Sequence, residues 1–146
     1  MAVIPGGVYR RVEAALHHRA DAMENARQRL REAEARATGI TMPLDAERVQ
    51  TSSAGDRLER GAIAVAEARD AVEEAERWQG VFEALDEYFR GRDEARAAVL
   101  LYRQHKTQQQ AALEMHVDRQ TIRRYRDAYV CHCALLAAEA GLIRMR

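Results

Sequence analysis

The chain is poor in the residues that staple, kink or fill a large core: it has two cysteines, two prolines, one tryptophan, two phenylalanines and five tyrosines in 146 residues. Each scarcity excludes something. Cys131 and Cys133 are too few and too close for a disulfide framework, which makes the cytoplasm the expected compartment. No stretch approaches the roughly 20 consecutive apolar residues that a bilayer crossing needs, and no charged-then-apolar leader opens the sequence, so no membrane partner is expected. Apolar residues make up 47% of the chain, but alanine is their largest contributor and aromatics reach only 5%. A thin core of long helices follows. Neither a glycine-rich phosphate loop nor a nucleophile elbow nor a paired metal-ligand motif occurs, so neither an enzyme nor a cofactor is expected.

What is abundant is charge, at 32% of residues, and it is unevenly placed although the formal net charge is zero. Residues 1–94 carry 14 Arg against 19 Asp+Glu, whereas residues 95–146 carry 9 Lys+Arg against 4 Asp+Glu. A basic C-terminal third suits contact with phosphate. The expected organisation is a helical hairpin over 1–94 that mediates self-association, followed by a DNA-binding domain over 95–146.

Hydrophobic spacing gives the expected elements. Met1–Gly7 reads as a loose arm. From Val8 to Thr38 the chain reads as one helix, with Leu16, Met23 and Leu30 seven apart, followed by Ala37 and preceded by Val8 and Val12. Gly39 to Gly55 reads as a connection broken by Pro43 and the Thr51-Ser52-Ser53 cluster, with Ser52, Ser53 or Asp56 capping the next helix. That helix is expected from Ala54 to Arg90, carrying Leu58, Val65 and Val72 in one heptad series and Ala68, Ala75, Phe82 and Phe89 in another. Two such helices predict an antiparallel, coiled-coil-like hairpin in an all-α fold. So alanine-rich a pair buries little area, and self-association is expected to complete it. Gly91 interrupts the helical run, and EARAAVLLYRQH predicts a short helix that packs Val99, Leu100 and Tyr102. Trp78, Phe82 and Phe89 are expected to pack the hairpin against the head, and Leu135, Leu136, Leu142 and Ile143 either to complete the head's core or to form a contact between copies of the chain.

Thr107 to Tyr125, TQQQAALEMHVDRQTIRRY, has the spacing of a helix-turn-helix. Such a motif needs a small residue where the helices cross, a short turn and apolar residues that meet across it. Ala112 supplies the first, Leu113 and Met115 are expected to extend the inner face, Val117 follows the turn, and Ile122 and Tyr125 recur three apart. His116 stands in the turn where glycine is common because a positive φ is needed. Asp118 is positioned to cap the second helix. Arg119, Gln120, Thr121, Arg123, Arg124 and Arg126 then lie at or beyond its first turn, with Lys106 and Gln108 at the start of the first motif helix. Arginine reads guanine and glutamine reads adenine, while arginine, lysine and threonine reach phosphates. Double-stranded DNA is the expected partner. Cys131, His132 and Cys133 look like metal ligands, but on a continuous helix they splay apart, so no metal is expected.

Taken together, ERVQTSSAGDRLERGAIAVAEARDAVEEAERW and LYRQHKTQQQAALEMHVDRQTIRRYRDA resemble the phage-encoded ArpU/RinA-type transcriptional regulators, best over residues 47–60 and 95–130. The resemblance implies an N-terminal helical region joined to a helix-turn-helix similar to the fourth region of sigma factors, and a role in the control of late phage genes. A motif that docks on protein rather than on DNA would have RNA polymerase as its partner. Two other readings fit the same sequence: a small-terminase-like DNA-packaging component, and a protein-interaction module that contacts the transcription machinery.

Overall fold

The computed structural model describes residues 4–39 and 51–145, with side chains described from Gly55 onward in the second stretch. The arm residues before Ile4, and 40–50 with Pro43, lie outside the described residues. All regular structure among the described residues is helical: α1 Gly6–His17, α2 Arg19–Gly39, α3 Thr51–Tyr88, α4 Asp93–Ala98, a π-helical turn Val99–Arg103, α5 Gln108–Met115 and α6 Arg119–Glu139. No helix among them is long and apolar enough to cross a membrane.

Several boundaries differ from the sequence reading, each for a local reason. Gly6 and Gly7 are helical rather than part of a loose arm, because the Tyr9 amide bonds the Pro5 carbonyl at 3.0 Å and Val8 and Tyr9 pack on a core. Tertiary anchoring outweighs the helix penalty of two glycines. The expected single helix over 8–38 is interrupted at His18 (φ −100°, ψ 8°). Its flanking side chains are both held: the His17 ring meets Tyr102 edge-on at 4.8 Å, and Arg19 forks onto Asp86 and lies over the Phe82 ring. At the start of α3, helix is already formed at Thr51, so Ser52, Ser53 and Asp56 lie inside it rather than at its cap.

The chain divides into two compact units, Met1–Ala20 with Arg77–Arg146, and Asp21–Glu76. The division falls elsewhere than the sequence boundary at residue 94, since α1 and the end of α3 supply core to the same unit as α4 to α6. The first unit holds all eight aromatic residues of the chain and its core. Val12 and Leu16 from α1, Phe82, Leu85 and Phe89 from α3, Leu101 and Tyr102 from the π turn, and Ile122, Val130 and Cys133 from α6 are each no more than 6% exposed. Full burial of one such aliphatic or aromatic side chain contributes about 1.5–3 kcal/mol. The expected helix over 94–105 forms as α4 up to Ala98, and the π turn takes its place from Val99: the Gln104 amide reaches the Val99 carbonyl at 3.0 Å. An α-helix spreads three consecutive side chains over about 200°. The wider turn lets Leu100, Leu101 and Tyr102 all face inward and leaves Val99, expected inside, 37% exposed. After α6, Gly141 adopts φ +76°, and the Leu142 amide returns to the Ala137 carbonyl at 2.9 Å, which turns Leu142 and Ile143 into the core. Leu135, by contrast, is 45% exposed.

The second unit, Asp21–Glu76, is built differently. Its shielded positions include Met23, Ala26, Leu30, Ala33 and Ala37 on α2 and Gly61, Val65, Ala68, Val72 and Ala75 on α3, alternating by three and four as in a heptad seam. Ala33 and Ala68 are its buried hydrophobic residues. Glu34 approaches Arg69 at 4.0 Å, and Ala33 and Arg36 border a shallow hollow with Arg57, Arg60, Gly61 and Ala64. Leu58, expected in the seam, is 55% exposed.

Candidate nucleic-acid interface

The site is built from two capped helices and a three-residue connection. Thr107 caps α5 in a reciprocal box: its hydroxyl accepts from the Gln110 amide at 3.1 Å, and the Gln110 side chain accepts from the Thr107 amide at 2.9 Å. The Thr-x-x-Gln spacing was a legible signal that the sequence reading did not use. At the other end of α5, His116 takes the left-handed conformation (φ 56°, ψ 42°), the geometry for which glycine is the common residue. The Val117 amide then reaches the Ala112 carbonyl at 3.0 Å, and Asp118 opens α6 by accepting from the Thr121 amide at 2.7 Å. The hydroxyl and amide of Thr121 hold the Asp118 carboxyl below the usual carboxylate range. A carboxylate therefore already occupies the N-terminus of α6, which disfavours a second anion there.

Packing between α5 and α6 follows the small-residue expectation. Ala111 and Ala112 are buried against Ile122, which is fully inaccessible, while Met115, Val117 and Tyr125 pack on the same core. One expectation fails here: Leu113 is 72% exposed rather than on the inner face. With successive residues about 100° apart, the paired alanines set the buried face of α5, and Leu113 is turned beyond it.

The predicted contact residues separate into two groups. Arg119, Gln120, Arg123 and Arg124 are exposed over the first turn and a half of α6, on the sides away from Ile122. Arg119 donates from Nε to Oε1 of Gln108 at 3.4 Å, and Arg124 donates to the Thr121 hydroxyl at 3.3 Å. Both hydrogen-bond partners are neutral, and Arg124 also lies near enough to the Asp118 carboxylate to favour its charge. Arg126 is placed elsewhere. Its side chain is 21% exposed, lies over the Tyr9 ring at 5.6 Å and pairs with Asp127 at 3.3 Å. The same cluster contains the 2.6 Å hydrogen bond from the Tyr9 hydroxyl to Asp127 and the 2.8 Å bond from Tyr102 to Glu13. Arg126 thus anchors α1 to α6 and does not join the exposed cluster. Lys106, placed with the contact residues by sequence, pairs with Glu114 at 2.6 Å, a partner the sequence reading missed.

Farther along α6, Cys131, His132 and Cys133 lie on one continuous helix, as expected, and point apart. Cys133 is buried, which pushes its thiol up to about 12; the His132 ring stacks on Tyr88 at 3.8 Å. Comparison of the chain with protein-family models, with curated proteins and with solved structures returns no match.

Proposed function

We propose that the chain is a sequence-specific, double-stranded-DNA-binding transcription regulator that uses α5, the His116 turn and α6 as a helix-turn-helix. The observation that carries this reading is the separation of roles on α6: Ile122 is buried, while Arg119, Gln120, Arg123 and Arg124 project from the same turns, with Arg119 and Arg124 held by neutral oxygens. In contrast, Arg19, Arg31, Arg103 and Arg126 each approach a carboxylate. Exposed arginines with no carboxylate in hydrogen-bond contact are suited to phosphates and to guanine edges, and Gln120 to adenine. In this reading α6 enters the major groove by its first turns and α5 lies across the backbone. The likeness to ArpU/RinA-type regulators points the same way.

The unit of residues 21–76 serves, in this proposal, as an antiparallel hairpin through which copies of the chain associate. The Glu34–Arg69 approach and the heptad spacing of shielded positions support it. Two linked heads would bind a repeated or inverted site more tightly than one, by effective concentration. The reading is tested by recovering bound fragments from a genomic library at near-physiological salt. Enrichment of one recurring site is expected; recovery independent of sequence would contradict it.

A further inference from the structure

A cavity of about 240 Å³ opens in the head where α1, α3, α4, the π turn and α6 converge. Its polar end is an ion cluster around Asp86. Arg19 forks onto both carboxylate oxygens, and the Tyr129 hydroxyl donates to Oδ1 at 3.3 Å. Burial opposes the charge on Asp86, but these donors and the nearby Arg103 hold its carboxyl below the usual range.

Arg103 is the second and more distant guanidinium at this carboxylate. It approaches Asp86 only to 3.8 Å, beyond hydrogen-bond distance, and its side chain is 56% exposed at the rim. Asp86 is the carboxylate among the residues that line the cavity and faces two guanidinium groups, Arg19 and Arg103, so the lining carries one positive charge in excess. The rest of the wall is apolar: Leu16, Val99, the Tyr102 ring and two alanines of α4. Val99, partly exposed at the start of the π turn, borders this wall, and such irregularities recur at functional sites.

We infer that this cavity is a binding site for a small organic carboxylate, whose charged end pairs with Arg103 and whose apolar body lies against Leu16 and Val99. A planar guanidinium accepts a carboxylate through two parallel hydrogen bonds, which the fork of Arg103 is placed to donate. The volume admits a single-ring or short branched acid, and a compact inorganic anion would leave the apolar wall uncovered.

The test uses the full chain, titrated with benzoate while the Arg103 side-chain and Val99 methyl signals are followed by NMR. Benzyl alcohol serves as the neutral counterpart, and sodium phosphate as the anion without an apolar body. Saturable benzoate binding is expected, with a Kd on the order of 1 mM for so small a ligand. Arg103→Gln is expected to weaken it at least about tenfold, the loss of one charge-assisted contact, in a chain whose amide NMR spectrum shows it folded. Phosphate and benzyl alcohol are each expected to bind at least about tenfold more weakly than benzoate. No saturable benzoate binding, equal binding by phosphate, or equal binding by the Arg103→Gln variant overturns the assignment. None of these outcomes bears on the DNA-binding reading, since no exposed residue of the α6 tip lines the cavity.

Discussion

The two compact units hold themselves together by different means. The unit of Met1–Ala20 and Arg77–Arg146 contains every aromatic residue and carries 15 Lys+Arg against 10 Asp+Glu; Asp21–Glu76 contains no aromatic residue and carries 8 Arg against 13 Asp+Glu. One is a basic head with a conventional core, the other an acidic pair of helical stretches whose seam is mostly alanine and valine. Since stability scales with apolar area removed from water, the first can fold on its own packing. The second has so little to bury that a partner surface should matter to it.

The largest expected effect is a cavity in the head. Phe82→Ala should cost about 3–5 kcal/mol by denaturant unfolding, whereas Leu30→Ala, in the half-shielded seam, should cost about 1 kcal/mol or less. Equal losses would break the distinction between the units. Next comes acid sensitivity, which belongs to the head through Asp86. Its carboxyl titrates below the unfolded value, so the stability it contributes is fully present above the ordinary carboxylate range and is lost as pH falls through the lower folded value. Unfolding midpoints followed from about pH 5 down to about pH 2 should therefore fall more steeply in the native chain than in Asp86→Asn, and parallel curves would remove Asp86 from the account.

A smaller effect of opposite sign is expected in the motif turn. His116 holds φ 56°, which costs an L-residue more than glycine, so His116→Gly should stabilise the head by about 0.5–1 kcal/mol. A loss of stability would mean that the imidazole makes a contact outweighing the backbone gain. The smallest effect belongs to Leu113→Gln, expected to change stability by less than about 0.5 kcal/mol because the side chain is 72% exposed.

Leu113 also shows what the sequence could and could not disclose. Its hydrophobicity and spacing made it an inner-face residue, but Ala111 and Ala112 fix the crossing, and only their joint burial reveals that the next position is turned away. Val99 was misplaced for a related reason, since a π turn shifts the phase of the inward face and leaves no mark in composition. The features set by local chemistry were readable: the Asp118 cap, the positive φ at His116, the stop at Gly91 and the burial of Ile122. Contacts distant in sequence were not. That Arg126 is held by Tyr9 depends on α1 meeting α6, and that Asp86 gathers Arg19 and Tyr129 depends on α3 meeting the start of α2 and α6; no spacing within any one helix announces either.

In the proposed function the exposed arginines of α6 meet the DNA, and the salt dependence of binding tests them directly. Affinity of the native chain and of the Arg123→Ala/Arg124→Ala double variant for a duplex would be measured over a range of salt concentrations. If both side chains neutralise phosphates, the slope of log K against log salt should become shallower by about two units. An unchanged slope and affinity would show that this face of α6 does not meet DNA.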